Sequence, residues 1–235
     1  MGLSHGAAVQ PVTAAPPRIA LIHALRDSIA PALAAFAGGW PEAEVHNLVD
    51  DSLSFDLAAA GALGPELTER FLTLGRYAAA GANGRRAAAI LFTCSAFGPA
   101  IAAVKAALPI PVLSPNEAAF EAALQCGPRI GLIVTFPPSL PALSAELEDM
   151  AARRGVALRL TGRIVEGALA DLQAGNGAEH DRRIADAAAA MPPLDALLLG
   201  QFSAARAAAA IAAVPGRTVI TTPDAAVARL RQRLG

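Results

Sequence analysis

The sequence predicts an α/β protein made of two pseudo-symmetric α/β halves, each with a mostly parallel sheet flanked by helices. Short apolar segments, which are typical of strands buried on both faces, alternate with longer segments that are typical of helices. Three sequence blocks also occur twice, in the same order. A chain of 235 residues is long enough for two such halves. Because ligands bind at the carboxyl ends of parallel strands, we expect a functional cleft between the halves.

The first half alternates strands and helices. Its predicted strands are Arg18–Ile22, Val45–Val49, Ala88–Phe92 and Pro111–Leu113. Its predicted helices run from about Ser28 to Phe36, from Pro65 to about Ala80, from Ile101 to Leu108, and from about Glu117 to Leu124. In the second helix Leu67, Phe71 and Leu74 share one face, which is typical of a helix packed on a sheet.

The second half repeats this order. The matched blocks are Arg18–Ile22 with Arg129–Ile133, Ile90–Ser95 with Leu197–Ser203, and Ile110–Ala118 with Thr218–Ala225. An alanine-rich helix is predicted over Ala204–Ala213, after the second of these blocks. The spacings agree, since 76 residues separate Arg18 from Cys94 and 72 separate Arg129 from Gln201. Three matched blocks at similar offsets indicate two homologous halves.

The repeat also predicts the domain boundaries. The segment after Pro115 begins the crossing to the second half, and the matching segment after Pro223 should return to the first. The first domain is therefore predicted to contain residues 18–116 and 223–235, and the second residues 117–222. Residues 1–17, rich in Ala, Pro and Gly, are predicted to be a disordered leader.

Cys94 is the candidate catalytic residue. It follows the apolar strand that ends at Phe92 and precedes the helix that starts behind Gly98 and Pro99. A thiol at a strand end, facing a helix N-terminus, lies where unpaired N–H groups favour the thiolate. The alternative is that Cys94 has no catalytic role and is buried in the core as a small apolar residue. Cys126 lies outside the matched blocks and is interpreted as structural.

Several polar residues are candidates for substrate binding because they follow strands that would meet at the cleft. Thr93, Ser95, Ser203 and Thr135 offer hydroxyl groups that could hold a carboxylate, although helix caps or turns explain them equally well. Gln201 occupies the position opposite Cys94 and is a candidate substrate contact.

Three further candidates follow the first two strands. His23 ends the first strand, where it would act as an acid or base or as a structural histidine. Asp51 and Ser52 follow the second strand, where they would line the cleft or form an ordinary turn.

The blocks 90–100 and 199–205 resemble the aspartate/glutamate racemase superfamily, which includes hydantoin racemases, maleate isomerases and arylmalonate decarboxylases. The resemblance covers about residues 18–230. It implies a cofactor-independent reaction in which cysteines beside the substrate remove and return a proton next to a carboxylate. The implied substrate is a small carboxylate or dicarboxylate.

Gln201 stands where those racemases place a second cysteine, and glutamine cannot take a proton. Either another base completes racemisation, or the chemistry is one-sided. The resemblance therefore implies first a racemase or isomerase that uses Cys94. The alternatives are a one-cysteine decarboxylase or lyase of a malonate-like acid, and a non-catalytic small-acid binding protein. The segment 23–28 also lacks the glycine-rich loop of glutamate racemases, which argues against glutamate as substrate.

The amino-acid composition limits the classes of binding partner and cofactor that we expect. With 19 Lys and Arg against 20 Asp and Glu, the net charge of −1 suggests neither nucleic acid nor an anionic membrane. No apolar stretch reaches the roughly 18–20 residues of a spanning helix. The two cysteines and four scattered histidines form no metal-ligand pattern, and with no secretion signal both thiols are expected to be reduced in the cytoplasm. No metal or organic cofactor is expected, and a homo-oligomer is left open.

Overall fold

The computed structural model describes residues 15–81, 84–212 and 218–234. The predicted leader therefore lies outside the described residues except for its last three. The strands are β1 (Arg18–His23), β2 (Glu44–Val49), β3 (Ala89–Phe92), β4 (Val112–Leu113), β5 (Arg129–Val134), β6 (Arg159–Ile164), β7 (Ala196–Leu199) and β8 (Val219–Thr221). The α-helices are α1 (Ile29–Gly39), α2 (Ser52–Ala60), α3 (Pro65–Ala80), α4 (Gly98–Ala107), α5 (Glu117–Cys126), α6 (Ser139–Arg153), α7 (Ala168–Gln173), α8 (Gly177–Ala189), α9 (Ala208–Ala212) and α10 (Thr222–Leu234). Three short 3₁₀ helices are Arg26–Ser28, Ser95–Phe97 and Phe202–Ala207.

The strands form two parallel four-stranded sheets, with orders β2-β1-β3-β4 and β6-β5-β7-β8. If β5 to β8 are matched in chain order with β1 to β4, the two strand orders are the same. The register also matches, since Ile22 pairs with Phe92 in one sheet and Ile133 pairs with Leu199 in the other. The predicted fold class, two pseudo-symmetric α/β halves, is confirmed.

Both sheets are covered by helices on both faces, which explains why their central strands are apolar throughout. In β3, Ile90 and Phe92 pack among residues of α3 and α4, whereas Ala89 and Leu91 pack among residues of α1 and α10. Successive side chains of a strand point to opposite faces, so a strand between two helical layers buries every residue. All four residues of β3 are buried.

The second sheet is covered by helices in the same way. Helices α5 and α10 each follow the last strand of one sheet and pack against the other sheet. Leu198 of β7 packs with residues of α5 and α6, and Leu199 packs with residues of α8 and α9. The last helix, α10, places Ala226, Val227 and Leu230 in the cluster that covers the first sheet. The chain thus ends against the half in which it began, while the exact domain boundaries stay a prediction.

The largest differences from the sequence prediction are two elements that the pattern did not indicate. Helix α2 begins at Ser52, one of the two residues for which the sequence suggests cleft lining or an ordinary turn. Strand β6 lies at a sheet edge and is only partly buried, so it lacks an apolar run. The predicted helix over Ala204–Ala213 begins instead as the 3₁₀ turn Phe202–Ala207 and becomes α-helical at Ala208.

Phe71 joins α3 to the loop that carries the candidate cysteine. Its buried ring stacks on Phe92, with ring centroids 5.3 Å apart, and on Phe97, at 4.7 Å. We expect Phe71→Ala to lower the free energy of unfolding by about 3–5 kcal/mol, because it removes these contacts and leaves a cavity. Urea denaturation checks this. Tyr77→Ala, in the same helix and 72% exposed, is the control and should change stability by less than about 0.5 kcal/mol. Equal midpoints for the two variants would contradict the packing described.

No helix in the described part of the chain is long and apolar enough to cross a membrane.

Candidate active site

A cavity of about 690 Å³ lies between the two halves, at the carboxyl ends of the central strands. Residues from both halves line it. The polar lining residues are Ser28, Ser54, Thr93, Cys94, Ser95, Ser139, Gln173, Gln201 and Ser203. The apolar lining consists of Ala24, Leu25, Phe55, Leu57, Ala58, Gly61, Ala96, Phe97, Phe136, Pro138, Ala142, Leu169 and Phe202. Among the described residues, Cys94 is therefore the one titratable side chain in the wall.

Cys94 lies between the end of β3 and the 3₁₀ turn that leads into α4. Its Sγ accepts a hydrogen bond from the Ala24 backbone N–H at 3.1 Å and lies 3.7 Å from the Ile22 carbonyl oxygen. Both partners belong to β1 or to the residue that follows it. The neighbouring central strand thus fixes the sulfur at the bottom of the cavity, where Cys94 is 8% exposed.

The Cys94 thiol is mainly protonated at neutral pH, which corrects the expectation that its position favours the thiolate. Burial raises the pKa of Cys94 to about 12, and hydrogen bonds from the Ala24 backbone and from Thr93 lower that pKa only in part. The negative charge of Asp50 adds a smaller upward shift in the pKa. At neutral pH the group therefore carries a proton that it can donate.

Alkylation distinguishes the two cysteines. Iodoacetamide reacts with thiolates, so the buried Cys94 should react at least about tenfold more slowly at neutral pH than the exposed Cys126. Peptide mass spectrometry over a time course measures both rates in one sample. Raising the pH should accelerate the reaction at Cys94 up to the highest pH at which the protein stays folded, since its thiolate increases throughout that range. A faster reaction at Cys94 than at Cys126 would contradict the described environment.

Gln201 occupies the corresponding place in the second half, directly behind β7. Its Oε1 accepts hydrogen bonds from the Thr135 backbone N–H at 2.6 Å, the Thr135 hydroxyl at 3.0 Å and the Phe136 backbone N–H at 3.2 Å. Two of these donors are backbone N–H groups, so the oxygen of the amide must face them. The Nε2 group, which has no hydrogen-bond partner among the described residues, is left to face a ligand.

The two positions are structural counterparts. Ala24 follows β1 and donates to Cys94, while Thr135 follows β5 and donates to Gln201. An amide oxygen thus takes the acceptor place that the sulfur fills in the first half. The preceding residues differ: Thr93 corresponds to Gly200, where a Cβ would lie 2.8 Å from a methyl group of Leu132. Among the described lining residues, the second half contributes hydrogen-bond donors and no titratable side chain.

Five serines line the cavity, and the hydroxyl of one of them, Ser54, donates to the Ala24 carbonyl oxygen. Ser95 and Ser139 come from opposite halves, and their Oγ atoms lie 3.4 Å apart. Ser139 is the first residue of α6, and Ser28 is its counterpart after β1. The hydroxyls of Ser28 and Ser203 make no hydrogen bond to another residue in the described ranges. These groups supply donors for the oxygens of a bound anion.

His23 lies behind the cavity wall rather than in it. Its Nδ1 is 2.9 Å from the Thr93 hydroxyl, and its Nε2 is 2.9 Å from Asn47 Oδ1. Because the Asn47 oxygen accepts from Nε2–H, the neutral ring accepts the Thr93 proton at Nδ1. Burial lowers the pKa of His23 and keeps it neutral. It therefore orients Thr93 and does not reach a ligand directly.

Asp51 and Ser52 do not line the cavity, which corrects the expectation that they would. Both follow β2, and β2 is an edge strand of the first sheet. Asp51 pairs with the exposed Arg26, and Ser52 donates to Asp50 within a cluster that includes Arg70. The polar groups of Asp51 and Ser52 are engaged in these contacts, outside the cavity lining.

Of the other predicted residues, Thr93, Cys94, Ser95, Gln201 and Ser203 are brought together in the wall, and Thr135 lies directly behind Gln201. The sequence interpretation missed Ser28 and Ser139. A signal for them was available, because each lies ten residues after the first residue of the repeated strands Arg18–Ile22 and Arg129–Ile133. No group of three or more His, Cys, Asp or Glu residues in the described ranges could hold a metal ion.

The family model of Asp/Glu/Hydantoin racemases matches residues 42–230, which is well over half of the chain and includes both strand ends described above. The chain belongs to the Asp/Glu/Hydantoin racemase family. No curated protein matches it in sequence.

Solved structures of racemases share the fold. Allantoin racemase from Pseudomonas fluorescens has a TM-score of 0.67 at 20% identity, covering 93% of this chain and 92% of its own. Aspartate racemase from Picrophilus torridus has a TM-score of 0.69 at 10% identity, covering 93% and 94%. Glutamate racemase from Bacillus anthracis has a TM-score of 0.67 at 16% identity, covering 94% and 82%. At these identities the likeness concerns the fold, and the substrates of these enzymes are not transferred.

Proposed function

We propose that the chain is a cofactor-independent enzyme that uses Cys94 to transfer a proton at the carbon next to a carboxylate, on one face of that carbon. The observation that carries this proposal is the asymmetry of the cavity. One wall presents a thiol, and the matching position on the other wall presents the Gln201 amide, whose oxygen is already occupied by three donors.

The carboxylate oxygens would be held by hydroxyl and amide donors from both halves. Ser95 and Ser139 lie within hydrogen-bonding distance of each other, so one oxygen atom can contact both. Gln201 Nε2 supplies a further donor. When the neighbouring carbon becomes a carbanion, its charge spreads onto these oxygens as an enediolate, and preorganised donors stabilise that charge most strongly.

The protonated state of Cys94 suits a reaction in which the thiol donates a proton to the carbon. In a malonate-like acid, one C–COO⁻ bond breaks, CO₂ leaves, and the electron pair stays on the carbon as the enediolate. That carbon then takes the proton of Cys94, whose pKa is raised to about 12 by burial, and water returns a proton to the sulfur. Of these steps only the protonation of the carbon needs an acid, and it needs that acid on one face alone. This is the decarboxylase or lyase form of the proposal.

Racemisation is the second form. It needs a second group that removes or supplies a proton on the opposite face, and the described lining offers none besides Cys94. A water molecule held by Gln201 Nε2 would have to fill this role. The asymmetric wall therefore favours one-face chemistry, while family membership keeps racemase activity as the competing outcome. A reducing compartment such as the cytoplasm suits either form, because Cys94 must be a free thiol.

Proton exchange in D₂O tests the proposal. The dialysed protein with EDTA, without added cofactor, is incubated with α-substituted carboxylates and with malonates, and NMR follows deuterium at the α-carbon and release of CO₂. Deuterium incorporation or CO₂ release that depends on Cys94 supports the proposal. Activity that needs an added metal or organic cofactor would contradict it. Ligand binding without turnover, unchanged in Cys94→Ala, would point to a small-acid binding protein instead.

A further inference from the structure

The cavity wall contains no charged side chain among the described residues, and most of its lining residues are apolar. Phe55 of α2 and Phe136, which follows β5, line the cavity and are 75% and 37% exposed. Leu57 of α2 and Leu169 of α7 also line the cavity. The two helices concerned, α2 and α7, each follow the second strand of their half. We call Phe55, Leu57, Phe136 and Leu169 the apolar rim of the cavity. We call Ser95, Ser139 and Gln201 its polar floor.

Two groups of charged residues near the lining segments are paired with one another. Arg26 pairs with Asp51, and Arg70 pairs with Asp50 and Asp56. None of these residues lines the cavity. A ligand ammonium group or a second, distant carboxylate would therefore enter without an opposite charge to compensate its loss of hydration. A single carboxylate differs, because the serine hydroxyls and Gln201 Nε2 on the floor can solvate it.

We infer that the substrate carries one carboxylate group, or the geminal pair of a malonate, beside an apolar α-substituent, and that it carries neither an α-ammonium group nor a charged side chain. The carboxyl end contacts the floor at Ser95, Ser139 and Gln201, and the apolar substituent packs against Phe55, Leu57 and Leu169. Apolar lining with a few placed polar groups is typical of small-molecule sites. This inference rests on the proposed function, and it adds the chemical class of the substrate.

Binding of simple probes tests this class without requiring turnover. Phenylacetate has one carboxylate and an aromatic substituent, phenylglycine adds an α-ammonium group, and succinate replaces the ring with a second carboxylate. Calorimetry or ligand-observed NMR on the full chain should show phenylacetate binding at least about tenfold more tightly than either of the others, since an uncompensated buried charge is costly.

Two variants locate the apolar contact. Phe55→Ala should weaken phenylacetate binding about tenfold, because it removes a large apolar surface from the cavity rim. Tyr77→Ala is the matched control, an aromatic residue that is 72% exposed on a helix of the same half and outside the cavity. It should leave phenylacetate binding unchanged.

The inference is overturned if phenylglycine or succinate binds as tightly as phenylacetate, if phenylacetate does not bind, or if Phe55→Ala binds it as the parent does. The outcome is separate from that of the exchange assay. Selective binding of phenylacetate without any Cys94-dependent proton transfer would sink the proposed reaction while supporting this ligand class. Cys94-dependent proton transfer on an amino acid would support the proposed reaction and contradict this ligand class.

Discussion

Cys94→Ala is expected to reduce proton transfer at the α-carbon by about 10²–10⁴-fold, the contribution of a positioned acid or base. The size of the effect follows from the composition of the wall, in which no other described residue can give or take a proton. Alanine should fit this site, because Cys94 is packed among apolar residues of the first core cluster. The measurement is the initial rate of deuterium incorporation or CO₂ release at equal protein concentration.

Cys126→Ala is the control for this variant. Cys126 is exposed at the end of α5, and its thiol contacts only the Ala122 carbonyl oxygen among the described residues. Its replacement should leave the rate unchanged. Circular dichroism and phenylacetate binding show whether Cys94→Ala keeps its fold and cavity. A folded Cys94→Ala protein with the parent rate would remove Cys94 from the mechanism.

Gln201→Cys is expected to convert one-face chemistry into racemisation. A cysteine at this position would have its sulfur near the Thr135 backbone N–H, as Cys94 has the Ala24 N–H at 3.1 Å. The two thiols would then face the same carbon from opposite walls, which is the arrangement that two-base racemisation needs. A single enantiomer of an α-substituted acid, which the parent should leave optically pure, should lose its optical activity with this variant.

Gln201→Ser is the matched control. It removes the same amide and leaves a small hydroxyl that is a far weaker acid than a thiol at neutral pH, so optical activity should persist. Chiral chromatography of the recovered acid separates the outcomes. If both variants racemise the acid, loss of Gln201 rather than gain of a thiol is responsible, and the assignment of the second wall fails.

The sequence was sufficient to predict the fold because the repeat carries it. Matching Arg18–Ile22 with Arg129–Ile133 indicates two equivalent central strands, and the parallel order of each sheet follows from the alternation of strands and helices. Strand β6 was not predicted because it is an edge strand that is partly exposed to solvent. Such a strand lacks the continuous apolar sequence that is typical of a buried strand. Val227 and Leu230 of the C-terminal helix α10 pack with residues of the first sheet, while the domain boundaries stay a prediction.

The candidate site was predictable where residues follow central strands. Cys94 and Gln201 come directly after β3 and β7, and such strand ends meet at the cleft in this topology. Asp51 and Ser52 also follow a strand, but sequence position does not reveal that their side chains contact Arg26 and Asp50 instead of lining the cavity. The contribution of Phe55 to the cavity was missed because helix α2, which carries it, was not predicted from the sequence.

The central claim is that Cys94 is the single acid or base of the cavity and acts on one face of the α-carbon. The most direct test is chiral chromatography of the α-deuterated acid that the parent protein forms in D₂O, from a malonate with two different substituents or from a single-enantiomer carboxylate. The structure predicts one configuration, with deuterium delivered from the Cys94 side. A racemic product formed by the parent enzyme would contradict this account and would require a second proton donor opposite Cys94.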